Sequence, residues 1–519
     1  MAKGPHEEFA SQEAAFPLSS ATAAAVADTS WFGHPRGLST LFFTEMWERF
    51  SFYGMRAILF LFMVAEVERG GFGLTSESAG AIYGLYAAGV YLFALPGGWL
   101  ADKLIGQRKA IFYGGVIIAA GHFCLALPSV ETFFLGLVLI VIGTGLLKPN
   151  ISTIVGELYP DGGARRDAGF SVFYMGINIG AFIAPLICGY LGENVNWHYG
   201  FAAAGVGMVL GLVQYKLTER HLGDIGLQPS RMYDDDTQQA QYVRRTMIWL
   251  LGACAIIAAF VLAALLGVFQ INAIAVSSMA GAVIIGVAIA FFVYVFAFGK
   301  LSPVERRRIG VIAILFLFSA MFWSGFEQAG SSLNLFAERY TDRVIFGWEM
   351  PASWLQSVNP IFIILLAPAF GVLWINLAKR NLEPSSPLKF ALGLIMLGLG
   401  FLVMVFAAQI AVAGGFPSPL WLVLMYLLHT TGELALSPVG LSTITKLAPK
   451  RLVGQMMGIW FISISLGNLI AGRVAGRFDP EQLEQMPDLF LTVVLSTVGA
   501  GVILAIASPA MRKWMGGVH

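Results

Sequence analysis

Charge is what this sequence has least of. Asp, Glu, Lys and Arg make up 12% of its 519 residues while 57% are hydrophobic, against about 25% charged in a soluble domain. The net charge of +1 and the lack of any basic stripe argue against a polyanionic partner, so no nucleic acid is expected. Cysteine is nearly absent. Cys124, Cys188 and Cys254 each lie inside an apolar run, which excludes a disulfide framework and a CxxC metal pair. The phosphate-cradling GxxxxGK[ST] loop and the HExxH zinc motif are missing, and none of the seven histidines stands at ligand spacing from another. Nucleotide hydrolysis and zinc proteolysis therefore lack their residues; the reading is not an enzyme, with no metal and no cofactor. The first 35 residues also lack the basic-then-apolar pattern of a cleavable signal and read as a mobile cytoplasmic tail.

What the chain has instead is apolar runs of about 20 residues or more, each long enough to cross a bilayer. They lie near 38–65, 79–101, 109–127, 132–158, 168–191, 198–217, 246–267, 273–298, 309–338, 354–378, 388–412, 419–446, 453–476 and 489–511. The expectation is an all-α integral membrane protein of fourteen transmembrane helices, with the lipid bilayer as its solvent. Lys and Arg concentrate in the tails and in the loops on one side, so the positive-inside rule puts both termini in the cytoplasm. A polar loop holding Asp234, Asp235 and Asp236, followed by two spans without internal charge, reads as an insertion. The organisation is then 6 + 2 + 6: tail 1–35, first bundle 36–218, loop and inserted hairpin 219–300, second bundle 301–515.

The exception to the apolar pattern is Thr44 to Arg56, TEMWERFSFYGMR. At about 100° per residue on a helix, Glu45, Arg49 and Arg56 fall within about 40° of one another, with Glu48 and Tyr53 on the shoulders. A charge at the bilayer centre costs at least ~2.5–3.5 kcal/mol, so such residues turn toward protein or a wet cavity and mark function. A buried network that only fixes helix packing needs fewer groups than two acids, two bases and a tyrosine. Lys148 in LLKPN adds a cation well inside its span; the alternative is a lysine snorkelling to the inner surface. FYMGINIG puts Tyr174 and Asn178 one turn apart, where Asn178 either grips a polar ligand or joins helices. Trp323 and Glu327 share a face, as do His429 and Glu433, the histidine reading more as an interface residue than as a proton relay. Trp460, too central for an interfacial anchor, pairs with Ser463, and His122 reads as packing. Cations in the first bundle and acids in the second invite ion pairs across a cleft, and buried carboxylates beside cations are suited to carrying protons. The loop GGWLADKLIGQRK offers Asp102, Arg108 and Lys109 for charge contacts with helix ends, or is an inert turn.

These motifs carry a resemblance. GGWLADKLIGQRK resembles the loop motif of the major facilitator superfamily, EMWERFSFYG the ExxERFxYYG signature of the proton-dependent oligopeptide transporters, and FYMGINIG that family's FYxxINxG. The similarity spans residues 38 to 511. It implies the major facilitator fold, twelve helices in two bundles plus a hairpin common in bacterial members, and proton-coupled import of di- and tripeptides and peptide-like molecules by a monomer in the bacterial inner membrane. Carried over residue by residue, the resemblance implies that Arg56 and Lys148, with Tyr53, Tyr91 and Asn178, hold the peptide carboxylate and Glu433 with Asn359 the amino end. Trp323 and Trp460, the latter with Ser463, would wall side-chain pockets. Glu45, Glu48 and Arg49 would couple protons together with Lys148 and Glu327; Arg56 with Glu327 would form an outer gate and Lys148 with Glu433 an inner one. Phe52 departs from the signature, and Gly84 stands where many eukaryotic members carry a coupling histidine, leaving the carboxylates to do that work. The alternatives are a small-anion symporter such as one for nitrate, and a non-transporting receptor or passive channel.

Overall fold

The computed structural model describes residues 19–230, 232–233, 235–265, 272–478 and 482–516. Residues 1–18 of the expected tail, Asp234 and the last two positions of the span expected at 246–267 lie outside them. Helices dominate. After α1 (Ser20–Ala27), the first bundle comprises α2 (Arg36–Val64), α3 (Ser76–Leu100), α4 (Gln107–Leu125), α5 (Val130–Glu157), α6 (Gly163–Ala184) and α7 (Trp197–Thr218). The hairpin follows as α8 (Asp236–Leu265) and α9 (Ala273–Phe298). In the second bundle, α10 (Pro303–Phe326) passes through a 3-10 turn at Glu327–Gly330 into the short α11 (Ser332–Tyr340). A two-stranded antiparallel pair, β1 (Val344–Ile345) and β2 (Trp348–Glu349), precedes α12 (Val358–Lys379), α13 (Ser386–Val412), α14 (Leu420–Leu447), α15 (Val453–Gly476) and α16 (Met486–Met515).

Among the described residues, 11 helical stretches are long and apolar enough to cross a membrane by length and composition. The other three expected spans, α2, α4 and α8, are helical as well: ionisable residues interrupt α2, and α4 and α8 start in polar ones. Local chemistry sets the starts. Thr75, Ser129, Asn196 and Asn272 cap α3, α5, α7 and α9 with side-chain oxygens, and Ser302 with Glu305 forms a reciprocal capping box on α10. Such caps satisfy amide donors that no turn of the helix can reach.

The described part of the expected mobile tail is ordered. Ser19 caps α1 and donates to the Asp224 carboxylate (2.5 Å), His34 Nδ1 meets the Tyr159 hydroxyl (2.8 Å), and Arg165 donates to the Asp28 carbonyl (3.0 Å). Small helix-forming residues behind a serine cap supply the turn, and polar side chains fasten it to loops of the first bundle. The start of the expected insertion belongs to the same body, since Leu222 and Ile225 are buried beside Leu38 and Ile111.

The two bundles meet where α3 crosses α15. A Cβ placed on Gly80 would overlap the Gly472 carbonyl oxygen, and one on Gly472 would overlap that of Gly80. One on Gly84 would lie 3.2 Å from the Asn468 carbonyl and 3.3 Å from Gly472 Cα. Backbone rests on backbone, the close approach that small residues four apart permit in lipid.

The other contacts between the bundles cluster at the end away from the two termini, here the far end, where α2 finishes at Val64. Asn334 and Gln356 both donate to the Ala57 carbonyl (2.7 and 3.3 Å). Ser357 Oγ donates to the Phe182 carbonyl (2.8 Å) and the Trp354 indole N–H to that of Leu186 (3.0 Å). These acceptors flank Pro185, where α6 passes into a π-helical stretch, Pro185–Val195.

Candidate functional site

The charged run of α2 is buried as one cluster. Arg49 Nε bridges Glu45 Oε1 (3.2 Å) and Glu48 Oε2, and none of the three side chains is more than 4% exposed. The Arg49 guanidinium also lies over the Phe52 ring at 5.1 Å, so the phenylalanine that departs from the signature supplies an aromatic face to the cation. One oxygen of each carboxylate and Nη2 of Arg49 have no hydrogen-bond partner among the described residues. Lys148, half-buried on α5, interacts electrostatically with all three and with Glu327, and its ammonium sits 4.4 Å from the Tyr91 ring centroid.

Two turns further along α2, Arg56 is held by two groups. Its Nη2 is 2.6 Å from Glu327 Oε2, and its Nε donates to the Tyr83 hydroxyl at 2.7 Å; Tyr53 presents its ring at 5.8 Å. Glu327 reaches across because α10 ends there, at the residue that caps it, before the 3-10 turn. The arginine pairs with glutamate as the resemblance implied. Tyr83 went unnoticed in the sequence reading. Its nearest signal is Gly330, where any Cβ would overlap the Tyr83 hydroxyl, a contact no single sequence displays.

Glu433 on α14 faces Arg56 and Glu327 electrostatically, and Tyr53 and Tyr174 lie within its reach. Asn359 Nδ2 donates to Glu433 Oε2 (3.2 Å) and to Thr430 Oγ1 (2.9 Å), bringing together the two residues expected at the amino end. The expected Lys148–Glu433 pair is not formed. Among the described ion pairs neither residue takes part, because Lys148 rests on Tyr91 and Glu433 on Asn359. One cation of the first bundle and one anion of the second thus stand outside the close ion pairs formed among the described residues.

Two other expectations shift. Asn178 is 4% exposed and donates to the Tyr174 carbonyl one turn back (2.9 Å), so its amide serves its own helix. Ser463 is fully buried, donates to the Trp460 carbonyl (2.7 Å) and accepts from the Ser319 hydroxyl on α10 (2.8 Å); it joins helices. Trp460 packs edge-on against Phe390 at 6.2 Å with its ring against Gly440. The Trp323 indole N–H has no partner among the described residues. His429 is buried between the rings of Phe401 (5.0 Å) and Phe326 (6.3 Å), in keeping with an interface residue. In the loop after α3, Arg108 donates to the carbonyls of Gly223 (2.7 Å) and Glu219 (3.0 Å), a contact with a helix end inside the first bundle.

Residues 108–487 match a family model described as the POT family. The chain belongs to the POT family. This POT-family chain is 46% identical over 496 residues to the peptide transporter YePEPT of Yersinia enterocolitica, a match covering 94% of this chain and 96% of that one. It is 40% identical over 501 residues to a di-/tripeptide transporter of Lactococcus lactis, covering 95% and 99%. Its fold matches the crystal structure of a peptide transporter of the same family in complex with alafosfalin, with a TM-score of 0.87 and 42% identity over 96% of this chain and 99% of the other. The family and the major facilitator-type fold read from the signatures are therefore those of this POT-family protein, a multi-pass membrane protein.

Proposed function

We propose that the protein is a proton-coupled symporter that imports di- and tripeptides by alternating access across the bacterial inner membrane, with both termini cytoplasmic. The observation that carries this is a cation and an anion on opposite bundles that form no close ion pair among the described residues, Lys148 beside Tyr91 and Glu433 on Asn359. A dipeptide is a zwitterion whose charged ends stand about 6–7 Å apart when extended. A basic group from one bundle and a carboxylate from the other grip both ends whatever the side chains between them.

In this reading Arg56, Lys148, Tyr53 and Tyr91 receive the carboxylate, while Glu433 and Asn359 receive the ammonium. Trp323 and Trp460 bound the side-chain space. The Glu45–Glu48–Arg49 cluster, with Lys148 beside it, carries the proton, since two carboxylates that share these cations and each keep one unbonded oxygen can take up a proton without dissolving the whole cluster. Arg56–Glu327 closes the far end in the state described here, and Lys148–Glu433 closes the near end in the opposite state. The named peptide transporters at 40–46% identity support peptides as the cargo. The test is proton flux into sealed vesicles on adding dialanine. Uphill dialanine accumulation with co-entry of protons is expected; a receptor or passive channel gives no coupled flux, and a small-anion carrier gives flux with nitrate but none with dialanine.

A further inference from the structure

Glu193 lies at the far end of the π-helical stretch that continues α6, and no charge pattern in the sequence singles it out. Its two oxygens grip the second bundle. Oε2 accepts from the Ala352 amide at 2.7 Å and Oε1 from the Ser353 amide at 3.0 Å. These are the first two residues of the 3-10 turn Ala352–Ser357 that leads into α12, and both are fully buried. Their N–H groups have no partner inside that turn, and the residue before it is Pro351, which offers no side-chain cap. The cap comes from the other bundle instead, 159 positions away in sequence. Glycine at 189 makes the approach possible, since a Cβ there would overlap the Ser353 hydroxyl.

We infer that Glu193 is a second latch of the far-end gate, a positioning residue that fastens α6 to the start of α12 whenever the far end is closed. The inference rests on the alternating-access reading above. Arg56–Glu327 ties α2 to the end of α10; Glu193 ties a different helix of each bundle through a charged clamp on two amides. Separating the bundles at that end must break both. A carboxylate with two amide donors is suited to this, because on opening water replaces the amides on the carboxylate and on the turn alike, whereas an apolar contact would only lose.

The experiment uses the full chain in lipid nanodiscs with its cysteines replaced and spin labels on Val67 and Phe346, exposed far-end positions in opposite halves. Relative to the parent, isosteric E193Q should raise the ratio of long to short label distances about tenfold, the factor that one lost charge-assisted hydrogen bond of ~1.4 kcal/mol supplies. E193A should raise it at least as far, and E327Q serves as the reference for the first latch. A role limited to holding the fold predicts a lower melting temperature with an unchanged distance ratio in E193Q, and that result overturns the inference. So does a shift in E327Q accompanied by none in E193Q. A distribution that neither variant nor dialanine moves overturns alternating access itself.

Discussion

If Glu433 receives the peptide's ammonium, neutralising it should weaken only ligands that carry one. In Glu433→Gln the side-chain oxygen can still accept from Asn359, whose amide also bonds Thr430 (2.9 Å), so the local frame survives the change. What disappears is a charge-assisted hydrogen bond, worth ~1.5–3 kcal/mol, or about 10- to 150-fold in Kd. Glu433 is half-buried, so water screens part of that interaction and the lower end, about 10- to 30-fold, is expected. The assay is calorimetric titration of purified protein with dialanine and with N-acetyl-dialanine, which keeps the carboxylate and lacks the ammonium. The parent should prefer dialanine and E433Q should lose most of that preference, with N-acetyl-dialanine binding the two proteins equally. Equal weakening of both ligands, or a loss for dialanine of less than about threefold, would refute the assignment.

Replacing Arg49 by Met strips the cation from between two buried carboxylates and should cost about 3–5 kcal/mol, seen as a fall in melting temperature that adding E45Q and E48Q partly reverses. Gly84→His should not install a coupling histidine. Its side chain must push α3 from α15, so folded yield in size-exclusion chromatography and uptake should fall together. Ser463→Ala should leave the dialanine Kd within about twofold, because that hydroxyl bonds Ser319 and the Trp460 carbonyl; its loss should appear as about 1 kcal/mol of stability.

How far the sequence could be read depended on whether a feature is local. The charged face of α2 follows from helical periodicity, and its ion pairs lie within four residues of each other, so Glu45, Glu48 and Arg49 were legible as one cluster. Arg56–Glu327 was legible only through the resemblance, because 271 positions of chain separate them and hydropathy says nothing of partners. Tyr83 and Glu193 escaped altogether. One is an ordinary aromatic in an apolar span that acquires its role from the Arg56 side chain on a neighbouring helix, and the other an acid at a span end that acquires its role from backbone contributed by the other bundle. Asn178 and Ser463 are ambiguous for the opposite reason. A polar residue inside a membrane helix has two ways to satisfy itself, and a carbonyl one turn back or a neighbouring hydroxyl is always nearer than a ligand. Gly84 shows what an absence can mean: the position lacks a histidine because Asn468 and Gly472 occupy the space a side chain would need.

The bare-backbone crossing of α3 on α15 sets the mechanics of any such motion. Peptide planes that touch directly carry no rotamers to rearrange, so the contact can persist while one half rolls upon the other like a rocker on its bearing. In the alternating-access reading proposed above, a pivot at this crossing would let the widening of one mouth narrow the opposite one by leverage.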